Sequence, residues 1–338
     1  MDLKQTICAL TEGAGVSGAE ETLVKAEELL KEFADDVHRD NLNNVIGTVG
    51  KGEKHILLDA HLDRIGLVVT AVDKSGFLRV DRCGGTDVRV LSAAEVTIWG
   101  KKPIYGVVTS TPPHLAKEED RGKAPKFDQT FVDTGMEYEK LKEIVSPGDR
   151  ITVDAPVSEL QGSRVVGSAL DDRVGCVAIL RTLELLKGKD PGVKVTAMFS
   201  AMEEVGGMGS KTGAFGISPD EAIAVDVTFA DAPGIEPADC SKMGDGVAIC
   251  CAPILDNGLF NRLVTVADKN NIKHTIEVSS GSTGTNADGI AITKTGVRTA
   301  VLSIPLRSMH TQAEIIDMDD VEATAKLMAE YILSEGGK

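Results

Sequence analysis

The sequence predicts an α/β protein in which one domain of helices and strands is interrupted by a smaller, β-rich domain. Buried apolar runs in the outer parts of the chain end at acidic residues or histidines, and helical periodicity separates these runs. The middle of the chain instead has short alternating segments between Gly, Pro and polar turns. A chain of 338 residues is too long for one ordinary hydrophobic core, and its length suits a principal domain with a smaller second one. We expect a discontinuous domain formed by residues 1–64 and 161–338, with an inserted domain at 65–160.

The first elements of the chain are predicted to be a helix and a buried strand. Ser17 and Glu20 have the spacing of a capping box, and apolar residues then recur at helical intervals, which predicts a helix from about Gly18 to Phe33. The run HILLDA is typical of a buried strand. This strand would deliver His61 and Asp63 at its end.

The second half of the chain alternates helices and strands. A helix is predicted to begin at Asp171 and to stop near Gly188. Three β-rich apolar runs follow, namely VKVTAMFSAM, EAIAVDV and RTAVLSIPL. Each ends at or just before one of the residues Glu203, Glu204, Asp226 and His310. A final helix is predicted from the spacing of Val321, Ala325, Met328 and Ile332.

The segment from about Ile65 to Leu160 is predicted to form short strands joined by turns. FLRVDR, EVTIWG and PIYGVVTS alternate apolar and polar residues, and Gly or Pro separates them. Residues 116–129 form a charged stretch without apolar periodicity, which we expect to be irregular.

The composition narrows the function classes. No stretch approaches the roughly 20 apolar residues that cross a bilayer, and the amino terminus lacks a secretion signal, so the expected location is the cytoplasm. A net charge of -16 disfavours nucleic acid as a partner. The six cysteines form no CxxC pair, so we expect reduced cysteines rather than disulfides or a thiolate metal site.

Adjacent carboxylates at Glu203 and Glu204 precede the turn sequence GGMG. Taken alone, this pair could be a solvated strand end, and the HLD segment at His61 could be a core histidine beside an aspartate. Taken together they predict a metal site, because close carboxylates repel each other unless a cation lies between them. Imidazole and carboxylate ligands suit zinc, cobalt or manganese. A carboxylate shared by two ions, a role that Asp171 could fill, is a geometry used for hydrolysis.

Several ordered motifs resemble those of the tetrahedral, dodecameric two-metal aminopeptidases, some of whose relatives are labelled endoglucanases. The resemblance covers nearly the whole chain and is carried by AHLDRIG, ALDDRVGC, MEEVGGMGS, AVDVTFADAPG, GTNADGI and IPLRSMHT, with SGAEE and GVVTSTPPHL in addition. It implies a three-layer catalytic domain with a mixed central sheet and a barrel-like dimerisation domain. It also implies short peptides as substrates and a homo-oligomer in which dimers assemble into a dodecamer.

The resemblance assigns a role to each candidate residue. Asp171 would bridge two divalent ions, with His61 and Asp226 at one ion and Glu204 and His310 at the other. Glu203 would be the general base, and Asp63 would orient the His61 imidazole. Zinc or cobalt is expected, with manganese as the alternative.

Three residues beside these positions depart from the family pattern. Arg64 and Asn286 stand where acids are common, and Ser308 stands where Tyr is usual. None of the three is a ligand position, so they bear on the substrate pocket and on activity. Asp172, Arg173 and the remaining histidines are expected to be structural.

Other functions remain open from the sequence. A two-metal carboxypeptidase or N-deacylase uses a similar order of ligands, but its second domain usually falls between the last two of them, whereas the β-rich segment here lies between His61 and Asp171. A shell or binding protein that has lost the chemistry is a second alternative. Glycoside hydrolysis is disfavoured because aromatic residues make up only 4% of the chain, too few for extensive sugar stacking.

Overall fold

The computed structural model describes residues 1–112, 114–115, 117–118 and 123–336. Within these residues, eleven strands form a mixed central sheet and six others close into an antiparallel barrel. The predicted α/β fold with a β-rich insertion is therefore confirmed. The limits at residues 65 and 160 stay a prediction; the barrel strands themselves lie between Gly66 and Val153.

The central sheet is assembled from both ends of the chain. Its strands are β1 (Asp35–Arg39), β2 (Val45–Val49), β3 (His55–His61), β10 (Ser158–Glu159), β11 (Arg164–Gly167), β12 (Lys194–Ser200), β13 (Glu221–Phe229), β14 (Val247–Cys251), β15 (His274–Val278), β16 (Arg298–Arg307) and β17 (Glu314–Asp317). The order is β1-β2-β12-β3-β13-β16-β17-β11-β10, and β14 joins β16 to β15. Strands β12, β3, β13 and β16 run parallel, so their carboxyl ends meet at one edge.

Helices cover both faces of this sheet. They are α1 (Leu3–Thr11), α2 (Val24–Leu30), α4 (Leu170–Leu186), α5 (Met208–Ile217), α6 (Asn257–Lys269), α7 (Ala287–Ala291) and α8 (Met318–Gly336). The main apolar core joins one face of the sheet to α1, α2, α4, α6 and α8. Smaller cores under α5 and α7 cover the other face. These layers give the three-layer arrangement that the resemblance implies. No described helix has the length and apolar character needed to cross a membrane.

The barrel has its own apolar core. Its strands are β4 (Gly66–Val72), β5 (Phe77–Cys83), β6 (Glu95–Trp99), β7 (Pro103–Ser110), β8 (Thr130–Asp133) and β9 (Arg150–Val153), and α3 (Tyr138–Ile144) packs beside them. The alternation predicted for FLRVDR is visible in β5, where Leu78 and Val80 point inward. Of the charged stretch at 116–129, residues 116 and 119–122 lie outside the described part of the chain, and Phe127–Gln129 forms a short 3-10 turn.

The long helix predicted between Gly18 and Phe33 is wrong. The chain forms a 3-10 turn at Glu20–Thr22 and then the two-turn helix α2. The two residues of the expected capping box have other partners. The Ser17 hydroxyl donates to Asp63, and the Glu20 carboxylate accepts the backbone N–H groups of Gly18 and Met202. The predicted helices at α4 and α8 are confirmed.

Candidate metal centre

The candidate ligands lie at the edge where the parallel strands end. His61 is the last residue of β3 and Asp226 lies near the end of β13. Glu204 follows β12, and His310 follows β16. Asp171 stands at the beginning of α4, before the regular helical backbone starts. The fold therefore brings together all five residues that were predicted as ligands.

These five side chains form two groups that share one residue. His61, Asp171 and Asp226 have ligand atoms within 4.8 Å of one another, and so do Asp171, Glu204 and His310. Asp171 Oδ1 lies 3.1 Å from His61 Nε2, and Asp171 Oδ2 lies 3.4 Å from His310 Nε2. Each oxygen of this carboxylate thus faces a different histidine.

The donor chemistry fits divalent cations. His310 Nε2 also lies 3.4 Å from Glu204 Oε1, and hydrogen bonds to Asp171 and Glu204 raise the pKa of His310 to about 11. Burial, and then the nearby charges of Glu203 and Asp171, raise the pKa of Asp226 well above its usual value. Both shifts favour bound protons, because negative charge is concentrated in the cluster. Bound cations would take their place, as they do at sites whose ligands must be deprotonated.

Asp63 organises the centre through its backbone as well as its side chain. His61 Nδ1 lies 3.0 Å from the Asp63 carbonyl oxygen and 3.6 Å from the Asp63 carboxylate. The sequence interpretation gave this orienting role to the carboxylate, but the carbonyl makes the shorter contact. When Nδ1–H donates to that carbonyl, the lone pair of Nε2 remains free.

The Asp63 carboxylate fixes the Glu203–Glu204 turn. Its two oxygens accept the backbone N–H groups of Glu203 at 3.0 Å and of Glu204 at 3.3 Å, and it also accepts the Ser17 hydroxyl at 2.6 Å. Burial raises the pKa of Asp63, but the nearby His61 imidazole and the hydrogen bonds from Ser17 and the Glu203 N–H outweigh burial and leave that pKa below its ordinary value. This buried carboxylate is therefore a charged anchor for both glutamates.

Glu203 and Glu204 occupy different surroundings. The Glu204 carboxylate reaches His310, whereas Glu203 belongs to neither ligand group and lines the cavity in front of them. Burial, and then the negative charge of Glu204, raises the pKa of Glu203 to about 7, although the charge of His61 opposes the rise. A carboxyl group with a pKa near neutrality is suited to take and return protons.

Three buried polar residues that support the centre were missed from the sequence. Glu314 accepts the backbone N–H groups of Asp171 at 3.2 Å and of His310 at 3.1 Å, so it joins two predicted ligands. Asn44 accepts the N–H of Ala201, and Glu20 accepts that of Met202, just before the two glutamates. Glu314 follows His310 by four residues, a spacing that could have drawn attention to it. Glu20 stands in the SGAEE motif but was interpreted as part of a capping box, and Asn44 carries no comparable signal.

The barrel also contributes to the centre. Gly85, in the connection after β5, lies so close to His310 that a β-carbon at this position would be 2.4 Å from Nδ1 of the imidazole. At the neighbouring Gly84, an added β-carbon would lie 3.2 Å from the β-carbon of Glu204. The two glycines allow the backbone of the inserted domain to pack against the second ligand group.

Residues expected to be structural have structural contacts. Arg173 is fully buried and donates to the carbonyl oxygens of Leu62, Leu10 and Ala14. Asp172 accepts the backbone N–H of His61 at 3.2 Å. Among the described histidines, His38, His55, His114 and His274 belong to neither group.

The three residues that depart from the family pattern differ in position. Arg64 is buried and donates to the Val153 carbonyl at 3.3 Å. Asn286 donates to the hydroxyl of Ser200, the last residue of β12, at 2.8 Å. Ser308 takes a positive φ of 58°, two residues before His310, whose φ is 61°. Such backbone conformations in non-glycine residues often occur at functional sites.

The ligand groups open into a cavity of about 880 Å³. Residues from β13, β14, β15 and β16 form its wall, together with the segment 237–241. A buried cluster of histidines and carboxylates at the strand ends, facing such a cavity, defines the class of the protein: an α/β metalloenzyme.

Comparison with known proteins places the chain within that class. Residues 43–327 match the model of the M42 glutamyl aminopeptidase family, and the chain belongs to this family of metallopeptidases. The lysyl aminopeptidase of Pyrococcus furiosus is 35% identical over 96% of this chain and 95% of its own. An aminopeptidase from Desulfurococcus kamchatkensis is 34% identical, with a TM-score of 0.91 over 98% of this chain and 94% of that chain.

A third relative has a known assembly. The TET1 peptidase of Pyrococcus horikoshii, which can assemble into a tetrahedron or a large octahedral shell, is 31% identical. Its TM-score is 0.87 over 97% of this chain and 98% of that chain.

Proposed function

We propose that the protein is a dinuclear metallo-aminopeptidase that removes the N-terminal residue of short peptides. The observation that carries the proposal is the shared position of Asp171, whose two oxygens face His61 and His310 separately. Two ions could each bind one of these oxygens together with the histidine that faces it. Family membership supports the aminopeptidase activity over the carboxypeptidase, N-deacylase and non-catalytic alternatives.

The proposed ligand sets follow the two groups. His61 and Asp226 would hold one ion, Glu204 and His310 the other, and Asp171 both. Mixed imidazole and carboxylate donors suit zinc or cobalt, with manganese as an alternative. When bound, two such cations polarise a carbonyl and lower the pKa of water towards neutrality.

Glu203 would act as the general base and then as the general acid. Its carboxyl group lines the cavity, and its pKa of about 7 lets both protonation states occur near neutral pH. In this role it accepts a proton from the attacking water and returns it to the leaving amine. The hydrogen bond from its backbone N–H to Asp63 holds the residue at the edge of the ligand groups.

The preference for a chain end follows from charge. The free α-amino group of a peptide is a cation, and the cavity presents carboxylates beside the ligand groups. A blocked or internal peptide bond offers no such cation. We therefore expect unblocked peptides to be hydrolysed and acetylated peptides of the same sequence to be left intact.

We further propose that the barrel mediates dimerisation and that dimers assemble into a dodecamer. The support is the similarity to a shell-forming peptidase over nearly the full length of both chains. Light scattering on the full-length protein tests it: a dodecameric mass is expected, and a monomer would contradict it.

The experiment that tests the proposed activity is a panel of fluorogenic aminoacyl substrates. The protein is stripped of metal, reloaded separately with zinc, cobalt or manganese, and assayed on free and acetylated forms of each substrate. Release from free substrates that depends on metal is the expected result. Equal release from acetylated substrates would indicate an endopeptidase or a deacylase, and no release with any of the metals would contradict the proposal.

A further inference from the structure

Two cavities with different charges lie side by side at the functional edge of the sheet. The cavity in front of the ligand groups has no Lys or Arg among its described lining residues, and its carboxylates are those of Asp171, Glu203, Glu204, Asp226, Asp239 and Glu277. A second cavity of about 530 Å³ is lined by Arg307 and Lys242, with Asp231 as the one acid among its described residues. Pro237 and Cys240 line both cavities. A molecule that crosses this shared rim therefore passes from negative to positive surroundings.

Arg307 is held in a fixed position, with part of its guanidinium free. Its Nε donates to the Asp231 carbonyl oxygen at 2.5 Å, and its Nη2 donates to the Asp231 carboxylate at 2.9 Å. That carboxylate is itself fixed, because it accepts the backbone N–H of Met243 at 3.0 Å. The remaining nitrogen of Arg307, Nη1, has no hydrogen-bond partner in the described part of the chain and is open to solvent. A half-buried guanidinium held in this way is pre-organised to bind a further carboxylate.

The other residues of the second cavity suit the last residue of a peptide. Lys242 adds a second positive charge on a flexible stem, since its ammonium is exposed and lies 3.2 Å from an equally accessible carboxylate, that of Asp245. Ala232, Pro233 and Ile235 supply an apolar wall. The last residue of a peptide carries both a carboxylate and a side chain, which could contact the cations and this wall together.

The separation of the two cavities matches a short extended peptide. Ser303 lines the first cavity and lies opposite the ligand residue Asp226 on the neighbouring strand. Arg307 follows Ser303 by four residues on β16, so both side chains project from the same face of the sheet. Four residues along a strand span about 13 Å. With its first residue at the ligand groups, an extended peptide of about four residues would bring its carboxylate to Arg307, whereas a dipeptide is too short.

Resting on the aminopeptidase function proposed above, we propose that the second cavity is a subsite for the free α-carboxylate of the substrate, and that Arg307 is the residue that binds it. A free peptide is positive at its N-terminus and negative at its C-terminus, and the two cavities present the opposite order of charges. Both ends of a short peptide would therefore be bound at once. A peptide whose carboxylate is amidated would lose the contact with Arg307.

The test compares peptides that differ only at the C-terminus. A tetrapeptide acid and its amide, both beginning with the residue that is released fastest from the fluorogenic panel, are assayed with the full-length, metal-loaded protein. We expect the acid to be favoured, and we expect Arg307→Gln to lower the acid-to-amide ratio of kcat/KM by about fivefold, the coupling of a partly exposed charge pair. The ratio for the corresponding dipeptide should not change, because its carboxylate does not reach Arg307. Equal kcat/KM for the tetrapeptide acid and amide in the unmodified protein would overturn the proposal without any variant.

The matched control is Asp231→Asn. This variant breaks the same charge pair but keeps the cation, and asparagine has nearly the shape of aspartate. Its acid-to-amide ratio for the tetrapeptide should be at least that of the unmodified protein. An equal fall in Arg307→Gln and Asp231→Asn would mean that the pair acts only by shaping this segment, and it would overturn the role of Arg307. An unchanged ratio in Arg307→Gln would overturn that role as well.

A binding measurement separates this inference from the proposed activity. A tetrapeptide acid and its amide, with the first peptide bond reduced to a CH2–NH linkage that cannot be hydrolysed, are titrated into the metal-loaded protein in a calorimeter. Their first residue is the amino acid that binds most tightly in free form. Tighter binding of the acid that is lost in Arg307→Gln supports the inference even if no substrate is cleaved, in which case only the proposed activity fails. Equal binding of the acid and the amide contradicts the inference whatever the activity.

Discussion

Substitution of Gly85 by alanine tests whether the barrel helps to position a metal ligand. The new β-carbon would lie 2.4 Å from His310 Nδ1 and 2.6 Å from His310 Cε1, whereas ordinary contacts begin at 3.4 Å. The imidazole ring would have to retreat by about 1 Å, the difference between 3.4 and 2.4 Å. Metal–ligand distances tolerate only about 0.2 Å.

The expected result is selective loss of one metal. His310 belongs to only one of the two ligand groups, so the affinity for the ion proposed at Asp171, Glu204 and His310 should fall. The affinity for the other ion should not change. We expect the affinity to fall by about 10–100-fold, the effect usual for residues that orient a ligand. Elemental analysis after dialysis against graded chelator measures it.

The control and the refutation both use metal content. Gly216→Ala adds a methyl group to an exposed position in α5, where no atom lies within 4 Å of the new β-carbon. It should retain both ions. Two ions held with unchanged affinity in Gly85→Ala, with an unchanged circular dichroism spectrum, would show that the barrel does not constrain His310.

Two further substitutions probe the bridge and the fold. Asp171→Ala should release both ions while His310→Ala mainly weakens one, because only Asp171 belongs to both groups; equal metal loss in the two variants would leave the bridge unsupported. Burial raises the pKa of Asp320 to about 6, although the N–H groups of Gly244 and Gly246 oppose the rise. A raised carboxyl pKa contributes stability that is fully present below about pH 4 and is lost as pH rises through about 6. The melting temperature of the unmodified protein relative to Asp320→Asn should therefore fall between pH 4.5 and 7.5, and a constant difference would contradict this pKa.

The parts of the fold that repeat a simple pattern could be predicted from the sequence. Strands β3, β12, β13 and β16 are continuous apolar runs, because helices bury them on both sides, and their polar endings identify the functional edge. The helix α8 follows its apolar spacing because one face packs on the sheet.

Interactions between distant segments could not be predicted in this way. Ser17 and Glu20 have a helix-capping spacing, but their side chains bind Asp63 and Met202, which are far away in the chain. Tertiary partners therefore override the local pattern, and the helix is shorter than predicted. Glu314 was missed for the same reason, since its role depends on the backbone of Asp171 in another element.

The orientation of His61 shows a subtler limit. The resemblance assigned the orientation of the imidazole to the Asp63 carboxylate, yet the nearest acceptor is the Asp63 carbonyl oxygen. The carboxylate is directed to the backbone of Glu203 and Glu204 instead. Residue types can indicate which groups meet, but the backbone path decides which atoms do.

The most direct test of the proposed mechanism is the pair of variants Glu203→Gln and Glu204→Gln, analysed for metal content and kcat together. Glu203 lies outside both ligand groups, so its variant should keep two ions and bind peptide while kcat falls by at least about 100-fold, as expected for a lost general base. Glu204 belongs to a group, so its variant should lose metal. A Glu203→Gln protein that holds two ions and retains full turnover would contradict the assignment of Glu203 as the base.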